Sequence, residues 1–149
     1  MLRKFGCIQA LNIEGYMPGK ETCDFWIGIF ENSDDYFDFF GEDPMFFKDD
    51  ADFDEKYISK FAKSQGENWI DHDLMESGYE IGEGDFVGKF EKYSYSDQWM
   101  TTVLKKTEET DIKGINTIVF ITKGRIKKPT SVFEQKFSLQ YIGEIEYNI

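Results

Sequence analysis

Three consecutive residues, Asp71, His72 and Asp73, combine side-chain types that enzymes use for proton transfer. Histidine is the usual general base, and a carboxylate beside it can orient the ring. However, side chains one position apart diverge on a helix, and those two apart share a face only on a strand. We therefore interpret the stretch as a surface or capping cluster, with a catalytic histidine as the alternative. Because His72 is the single histidine, a metal site built on two imidazoles is excluded.

Two cysteines, Cys7 and Cys23, lie outside any recognisable catalytic motif. Inert thiols are far commoner than activated ones, so we expect both to be free thiols in a reducing compartment. The stretch GYEIGEG contains glycines, but Glu80 and Glu83 within it would repel a phosphate. The pattern therefore indicates neither a nucleophile nor a nucleotide site.

An acidic stretch from Asp50 to Glu55 has part of the spacing of a calcium-binding EF-hand loop. Asp50, Asp52 and Asp54 match its first ligands, but Glu55 stands where the glycine belongs and Phe61 where the final glutamate belongs. We expect no metal and no other cofactor. Hydrolases use paired carboxylates, but close pairs are common by chance in so acidic a segment, and we expect a protein that is not an enzyme.

Acidic charge is concentrated in the middle of the chain. The net charge is -12, and residues 31–85 hold eighteen acidic and four basic residues, whereas residues 86–149 hold eight acidic and ten basic. Such a field repels nucleic acid and anionic membranes and attracts basic proteins. No apolar run approaches the ~20 residues of a membrane span, and the N-terminus lacks the pattern of a secretory signal. We expect a cytoplasmic protein that binds neither nucleic acid nor membrane.

Carboxylates at helical spacing are the best candidates for contact with a basic partner. Asp34 and Asp38 are four residues apart, and like charges at this spacing cost an isolated helix ~0.2–0.5 kcal/mol. Local stability does not account for them, although a solvated face opposite an aromatic core is the plainer interpretation. The residues that we expect to bind the partner are Asp34, Asp35, Asp38, Asp71, Asp73 and Glu76.

The elements that position these acids follow from the apolar pattern. DFWIGIF (24–30) is apolar on both faces and predicts a buried strand, with a close approach or bulge at Gly28. A helix follows, with an N-cap at Asn32 or Ser33 and a stop at Gly41. Its core stripe is expected to be Tyr36, Phe37 and Phe40, which leaves Phe39, Phe46 and Phe47 as candidate surface rings.

The rest of the pattern predicts a helix over 53–66, a third helix capped at Ser94 or Ser96, and strands over 115–122 and 138–147. Residues 68–85 are hard to assign, with a loop indicated by Gly78, Gly82 and Gly84, and residues 85–94 suggest an edge strand or an extended arm. The last two strands are expected to pair antiparallel, since the loop between them is too short for a helical crossover.

The whole chain, 1–149, is expected to be a single α+β domain, with a small, mostly antiparallel sheet and about three helices. The expected core residues are Trp26, Phe61, Trp99, Val119 and Ile145.

Five stretches between residues 24 and 147 carry a further, combined signal. They are FWIGIFENSDDYFDFF (25–40), SKFAKSQGENWIDHDLME (59–76), KYSYSDQW (92–99), GINTIVFI (114–121) and LQYIGEIEY (139–147). In this order they resemble the immunity protein 22 family of bacterial polymorphic toxin systems. Residues 1–23 precede the family's usual first strand and form an N-terminal extension relative to it.

The resemblance implies a small cytoplasmic α+β protein without catalysis, which binds and neutralises a cognate toxin domain, often a nuclease. Nuclease surfaces that hold phosphates are rich in Lys and Arg, so an acidic segment suits such a partner. Two other interpretations stay open from the residues themselves. One is an acidic protein-interaction module or nucleic-acid mimic of another function, and the other is a small carboxylate-based hydrolase.

Overall fold

The computed structural model describes residues 19–41 and 59–149. Its strands are β1 (Lys20–Phe30), β2 (Met75–Tyr79), β3 (Thr117–Thr122), β4 (Val132–Phe133) and β5 (Phe137–Asn148). Its helices are α1 (Ser33–Phe40), α2 (Lys60–Ser64), α3 (Phe86–Phe90) and α4 (Ser96–Thr110), with a 3-10 helix at His72–Leu74. The strands form one open antiparallel sheet in the order β2-β3-β1-β5-β4. The predicted α+β class is confirmed.

β1 lies at the centre of the sheet because it is apolar on both faces. Phe25 and Ile27 point to one side and Trp26 to the other, and all three are fully buried. β1 pairs with β3 along one edge and with β5 along the other. The prediction that β3 and β5 pair with each other is therefore wrong. Both are antiparallel to β1, so they run parallel to each other, and residues 123–136 cross the ~10 Å between second-neighbour strands without a helix.

Two features shape the pairing of β1 with β5. The predicted close approach at Gly28 is confirmed, since a Cβ there would lie 2.6 Å from the carbonyl oxygen of Ser138. β5 also contains a bulge at Ile142, which has no partner residue on β1. The extra residue reverses the side-chain alternation, so Leu139 packs on the Trp26 side and Ile145 on the Phe25 side. Alternate residues along 139–147 therefore change from one face of the sheet to the other at the bulge.

Helices cover both faces of the sheet. α1 and α2 pack against the face of Trp26, whereas α3 and α4 pack against the face of Phe25. The aromatic rings of the second face are tightly grouped, with the Trp99 ring 5.4 Å from that of Phe25. The five predicted core residues are all confirmed as buried: Trp26, Phe61, Trp99, Val119 and Ile145.

The ends of α1 follow the predicted signals. Asn32 is the N-cap and accepts a hydrogen bond from the N–H of Asp35 at 2.9 Å. Gly41 ends the helix and donates its N–H to the Phe37 carbonyl. Capping of this kind satisfies backbone groups that the first and last turns leave without an intrahelical partner.

The starts of α2 and α4 differ from the predicted signals. The hydroxyl of Ser59 accepts the N–H of Ala62 and caps α2, which ends shortly before Gly66. The helix predicted over 53–66 is confirmed for Lys60–Ser64 and is wrong at Ser59, whose backbone is extended (φ -161°, ψ 160°); residues 53–58 lie outside the described residues. α4 begins at Ser96, but its N-cap is Tyr95, which makes no side-chain capping hydrogen bond, so the predicted cap at Ser94 or Ser96 is wrong.

Residues 67–94 depart most from the sequence-based expectations. β2 forms the outer strand beside β3, although its sequence MESGY contains a glutamate and a glycine. Residues 86–90 form a short helix rather than an edge strand or an extended arm, and Asp85 caps it by accepting the N–H of Gly88. This capping interaction explains the local preference for a helix.

Cys23 takes part in a disulfide, which corrects the expectation of free thiols. Its sulfur is buried on the Phe25 side of the sheet, where the Tyr147 hydroxyl donates to it at 3.4 Å. Cys7 lies outside the described residues, as do Phe46, Phe47 and the acidic stretch 50–55.

Candidate partner-binding surface

The outer face of α1 combines an aromatic ring with two carboxylates. Asp34, Phe37 and Asp38 are spaced i, i+3 and i+4, which places them on one side of the helix. Phe37 is 48% exposed, whereas Phe39 is 5% exposed. The expected positions of these two rings, Phe37 in the core and Phe39 at the surface, are therefore reversed.

Packing against the sheet decides which ring turns inwards. The Phe39 ring lies 4.7 Å from that of Phe137 on β5 and 6.0 Å from that of Phe30 on β1. Within residues 19–41 and 59–149, the ring that Phe37 contacts is that of Tyr36, at 5.1 Å, and about half of the Phe37 side chain is exposed. The exposed side of α1 therefore presents a ring that its own core does not use.

Each carboxylate of α1 also has a local role. Asp34 and Asp35 lie in the first turn, where negative charge interacts favourably with the helix dipole. Asp38 forms an ion pair with Lys60 of α2, with an Oδ2–Nζ distance of 2.6 Å. Both partners are substantially exposed, so the pair contributes on the order of 0–1 kcal/mol. The expectation that local stability does not account for these acids is therefore corrected. The exposure of the Phe37 ring is the feature of this face that these local interactions do not explain.

A groove of about 580 Å³ lies beside this face, between α1, α2 and the β4–β5 hairpin. Its walls carry charges of both signs, with Asp35 and Asp38 on α1 facing lysines such as Lys63 and Lys136. Phe39 and Phe137 supply apolar surface within it. The groove is thus a mixed, open surface rather than a uniformly acidic one.

The other three predicted site residues have different environments. Asp71 accepts the N–H of Asp73 at 3.0 Å and caps the 3-10 helix, which fits the capping interpretation of this stretch. Asp73 is exposed. Glu76 is 0% exposed and accepts the backbone N–H of Ser94 at 2.9 Å, so its carboxylate does not reach the surface.

Sheet register separates these residues from α1. Met75, at the start of β2, is level with Asp24 of β1 through their common neighbour Ile121. α1 begins beyond Phe30, six residues further along β1, which is roughly 20 Å away at ~3.3 Å per residue. The structure thus places Asp71 and Asp73 at the opposite end of the sheet from Asp34 and does not bring the two groups together.

A different acidic segment lies at the α1 end of the sheet. Residues 80–85 follow β2 where Tyr79 pairs with Thr117, and Thr117 pairs with Gly28 near the end of β1. This loop contains Glu83 and Asp85, both exposed, and Ile81 is 75% exposed. Sequence reasoning used its glutamates to exclude phosphate binding and did not place this loop at the α1 end of the sheet. The sequence signal that could have identified this loop is Ile81, an apolar residue between Glu80 and Glu83 in a stretch that contains glycines.

Buried carboxylates form a second group, away from this surface. Asp24 accepts a hydrogen bond from the Tyr141 hydroxyl at 2.6 Å. Burial raises the pKa of Asp24, against the effect of that hydrogen bond, and burial raises the pKa of Glu21 as well. Burial together with the hydrogen bond to Asp24 raises the pKa of Tyr141. Asp24 and Glu21 are 2% and 6% exposed, so neither carboxylate is available to a partner.

His72 is 5% exposed, and the groove beside α1 is not lined by it. Within residues 19–41 and 59–149, no group of three or more His, Cys, Asp or Glu side chains is arranged to hold a metal ion. In the same part of the chain, no helix has the length and apolar character needed to cross a membrane.

The family model for Immunity protein 22 matches residues 23–148 of the chain. The chain belongs to the immunity protein 22 family. Comparison with curated proteins gives no match, and comparison with solved structures gives none either. Membership of the immunity protein 22 family implies a toxin-neutralising role, exerted by binding a cognate toxin rather than by catalysis.

Proposed function

We propose that this immunity protein neutralises a basic toxin domain, such as a nuclease, by binding it directly through the outer face of α1. The observation that carries the proposal is Phe37, which lies exposed between Asp34 and Asp38 on a helix whose opposite side is buried. The proposed site of action is the cytoplasm of the cell that produces the toxin.

The ring supplies affinity in this proposal. Binding free energy becomes more favourable when a partner removes the remaining surface of a half-exposed Phe from water. Aromatic residues are also enriched at interface centres. The guanidinium of an Arg or the ammonium of a Lys can also stack on such a ring. The surrounding carboxylates favour a partner that presents these cations.

The charges supply rate and specificity. Asp34 and Asp38 flank the ring, and Glu83 and Asp85 extend the acidic field at the same end of the sheet. Complementary charge raises the association rate and its salt dependence more than it raises affinity. Asp71, Asp73 and Glu76 are not part of this surface, since the first two lie at the other end and the third is buried.

Stopped-flow association with the co-expressed toxin domain tests the proposal. The test variant converts Asp34, Asp35 and Asp38 to Asn, and a matched control converts Asp73 and Asp97 to Asn and Glu91 to Gln. The control removes the same charge from exposed positions outside α1 and residues 80–85. We expect the α1 variant to associate about tenfold more slowly at low salt, with a weaker salt dependence, and the control to change little.

Equal effects of the two variants would mean that net charge, and not the α1 surface, determines association. No effect of either would place the interface elsewhere. Thermal unfolding of both variants is needed beside the kinetics, because removing first-turn carboxylates costs α1 about 0.3–1 kcal/mol each.

A further inference from the structure

The outer edge of β5 is open along half of its length. β4 pairs with β5 only at Leu139 and Ser138, and the Ser131 hydroxyl accepts the N–H of Tyr141. Beyond that point, no strand among residues 19–41 and 59–149 pairs with this edge. Glu144, Glu146 and Asn148 along it are exposed.

The register identifies which backbone groups this edge presents. Ile149 donates its N–H to the Gly19 carbonyl, so residues at alternate positions back along β5, such as Tyr147, bond to β1. In an antiparallel ladder the intervening residues point the other way. The N–H and C=O groups of Glu144, Glu146 and Asn148 therefore point away from β1, as a template for one more strand.

Side chains along the edge define what that strand must carry. Glu144 and Glu146 lie on the face opposite the buried Ile145 and Tyr147. Their ion pairs with Lys123 and Lys20, at 2.9 and 3.4 Å, each engage one carboxylate oxygen, Oε1, and are exposed. Such pairs are weak enough to rearrange when a partner cation arrives.

A second copy of this chain is a poor occupant of the edge. Antiparallel self-pairing would bring Glu144 and Glu146 close to their own copies, and like charges across a strand pair are destabilising. A strand with Lys or Arg at alternate positions meets these glutamates with opposite charge. Its intervening apolar residues would extend the side of the sheet that Ile145 and Tyr147 occupy.

We propose that the open edge of β5, residues 144–148, binds an extended segment of the toxin domain in which basic and apolar residues alternate. The segment adds as a strand, and backbone hydrogen bonds to Glu144, Glu146 and Asn148 hold it. This inference rests on the proposed function for the identity of the partner, but it concerns a surface separate from α1.

Amide hydrogen exchange on the purified complex with the co-expressed toxin domain tests it. In the free protein, the amides of Glu144, Glu146 and Asn148 should exchange quickly because they face solvent. In the complex, we expect exchange at these positions to slow by at least about tenfold. A complex that forms without this protection would overturn the inference and leave the proposed function intact, whereas failure to form any complex would count against the proposed function itself.

A pair of variants at one position separates backbone from side-chain effects. Glu146→Pro removes an N–H that points away from β1, a position where an edge strand tolerates proline. Glu146→Ala removes the same charge and keeps the N–H. We expect Glu146→Pro to bind the toxin domain about tenfold more weakly than Glu146→Ala, the loss of one good hydrogen bond. Equal affinities of two variants with matched thermal stability, or a homodimer of the free protein joined through this edge, would overturn the inference.

Discussion

Truncation of Phe37 to Ala separates a binding role from a folding role. Phe37 is 48% exposed, so roughly half of a ring side chain of ~200 Å² remains for a partner to cover. At ~25 cal/mol per Å², covering about 100 Å² contributes about 2.5 kcal/mol, or roughly a 60-fold change in Kd. The folded protein should lose less than about 1 kcal/mol, because the side chain is not part of the core.

Isothermal titration of the toxin domain into wild type and Phe37→Ala measures the change in Kd, and thermal unfolding measures stability. Phe133→Ala is the matched control, because Phe133 is 68% exposed but lies on β4. Phe39→Ala, at 5% exposure, should instead destabilise the fold by about 3–5 kcal/mol. If Phe37→Ala binds within twofold of wild type, or Phe133→Ala weakens binding equally, the assignment of α1 as the contact surface is refuted.

Three further predictions concern the fold. Trp99→Ala should destabilise the protein by about 3–5 kcal/mol in chemical unfolding, since the ring is fully buried, and a loss under about 1 kcal/mol would contradict that placement. Gly78→Ala should also destabilise it, because a Cβ there would lie 1.3 Å from the Tyr93 hydroxyl oxygen, and Gly78→Ala with Tyr93→Phe should recover part of the loss. Burial raises the pKa of Glu21, so the folded protein holds that proton more tightly than the unfolded chain, and this group's contribution to stability falls as pH rises from its unfolded to its folded pKa. Glu21→Gln should therefore be more stable than wild type at neutral pH, with the difference shrinking below the unfolded pKa; an equal difference at all pH values would contradict this.

Elements with local signals could be predicted from the sequence. The cap at Asn32, the stop at Gly41 and the double-sided apolar run of β1 each depend on residues close together in the chain. The deep burial of Trp26 and Trp99 follows from the same periodicity. These features need no knowledge of which strands meet.

Features that depend on distant partners could not be predicted. In the run DYFDFF, helical spacing allows either Phe37 or Phe39 to join the core, and the ring of Phe137, far along the chain, decides between them. The glycine of β2 indicates a loop when the sequence is read alone. The reason for a glycine in this strand is its close contact with the Tyr93 side chain, which only the fold shows. The central position of β1 likewise depends on its pairing with two strands that come nearly ninety residues or more later.

The candidate surface shows the same limit. Composition and charge located the acidic segment, and Asp34 and Asp38 are on the outer side of α1. The grouping with Asp71 and Asp73 failed because strand register sets the separation of the two groups. The buried position of Glu76 could not be predicted either, since its hydrogen bond comes from the backbone of Ser94 in a segment with no clear pattern.

Co-expression of this immunity protein with its cognate toxin domain, followed by affinity purification through the toxin, tests the central claim most directly. We expect growth to be restored and an equimolar complex to be recovered, with Phe37→Ala and the triple Asn variant of α1 recovering less of it. Growth that is restored with no complex, or a toxin that remains lethal beside abundant folded immunity protein, would contradict neutralisation by direct binding.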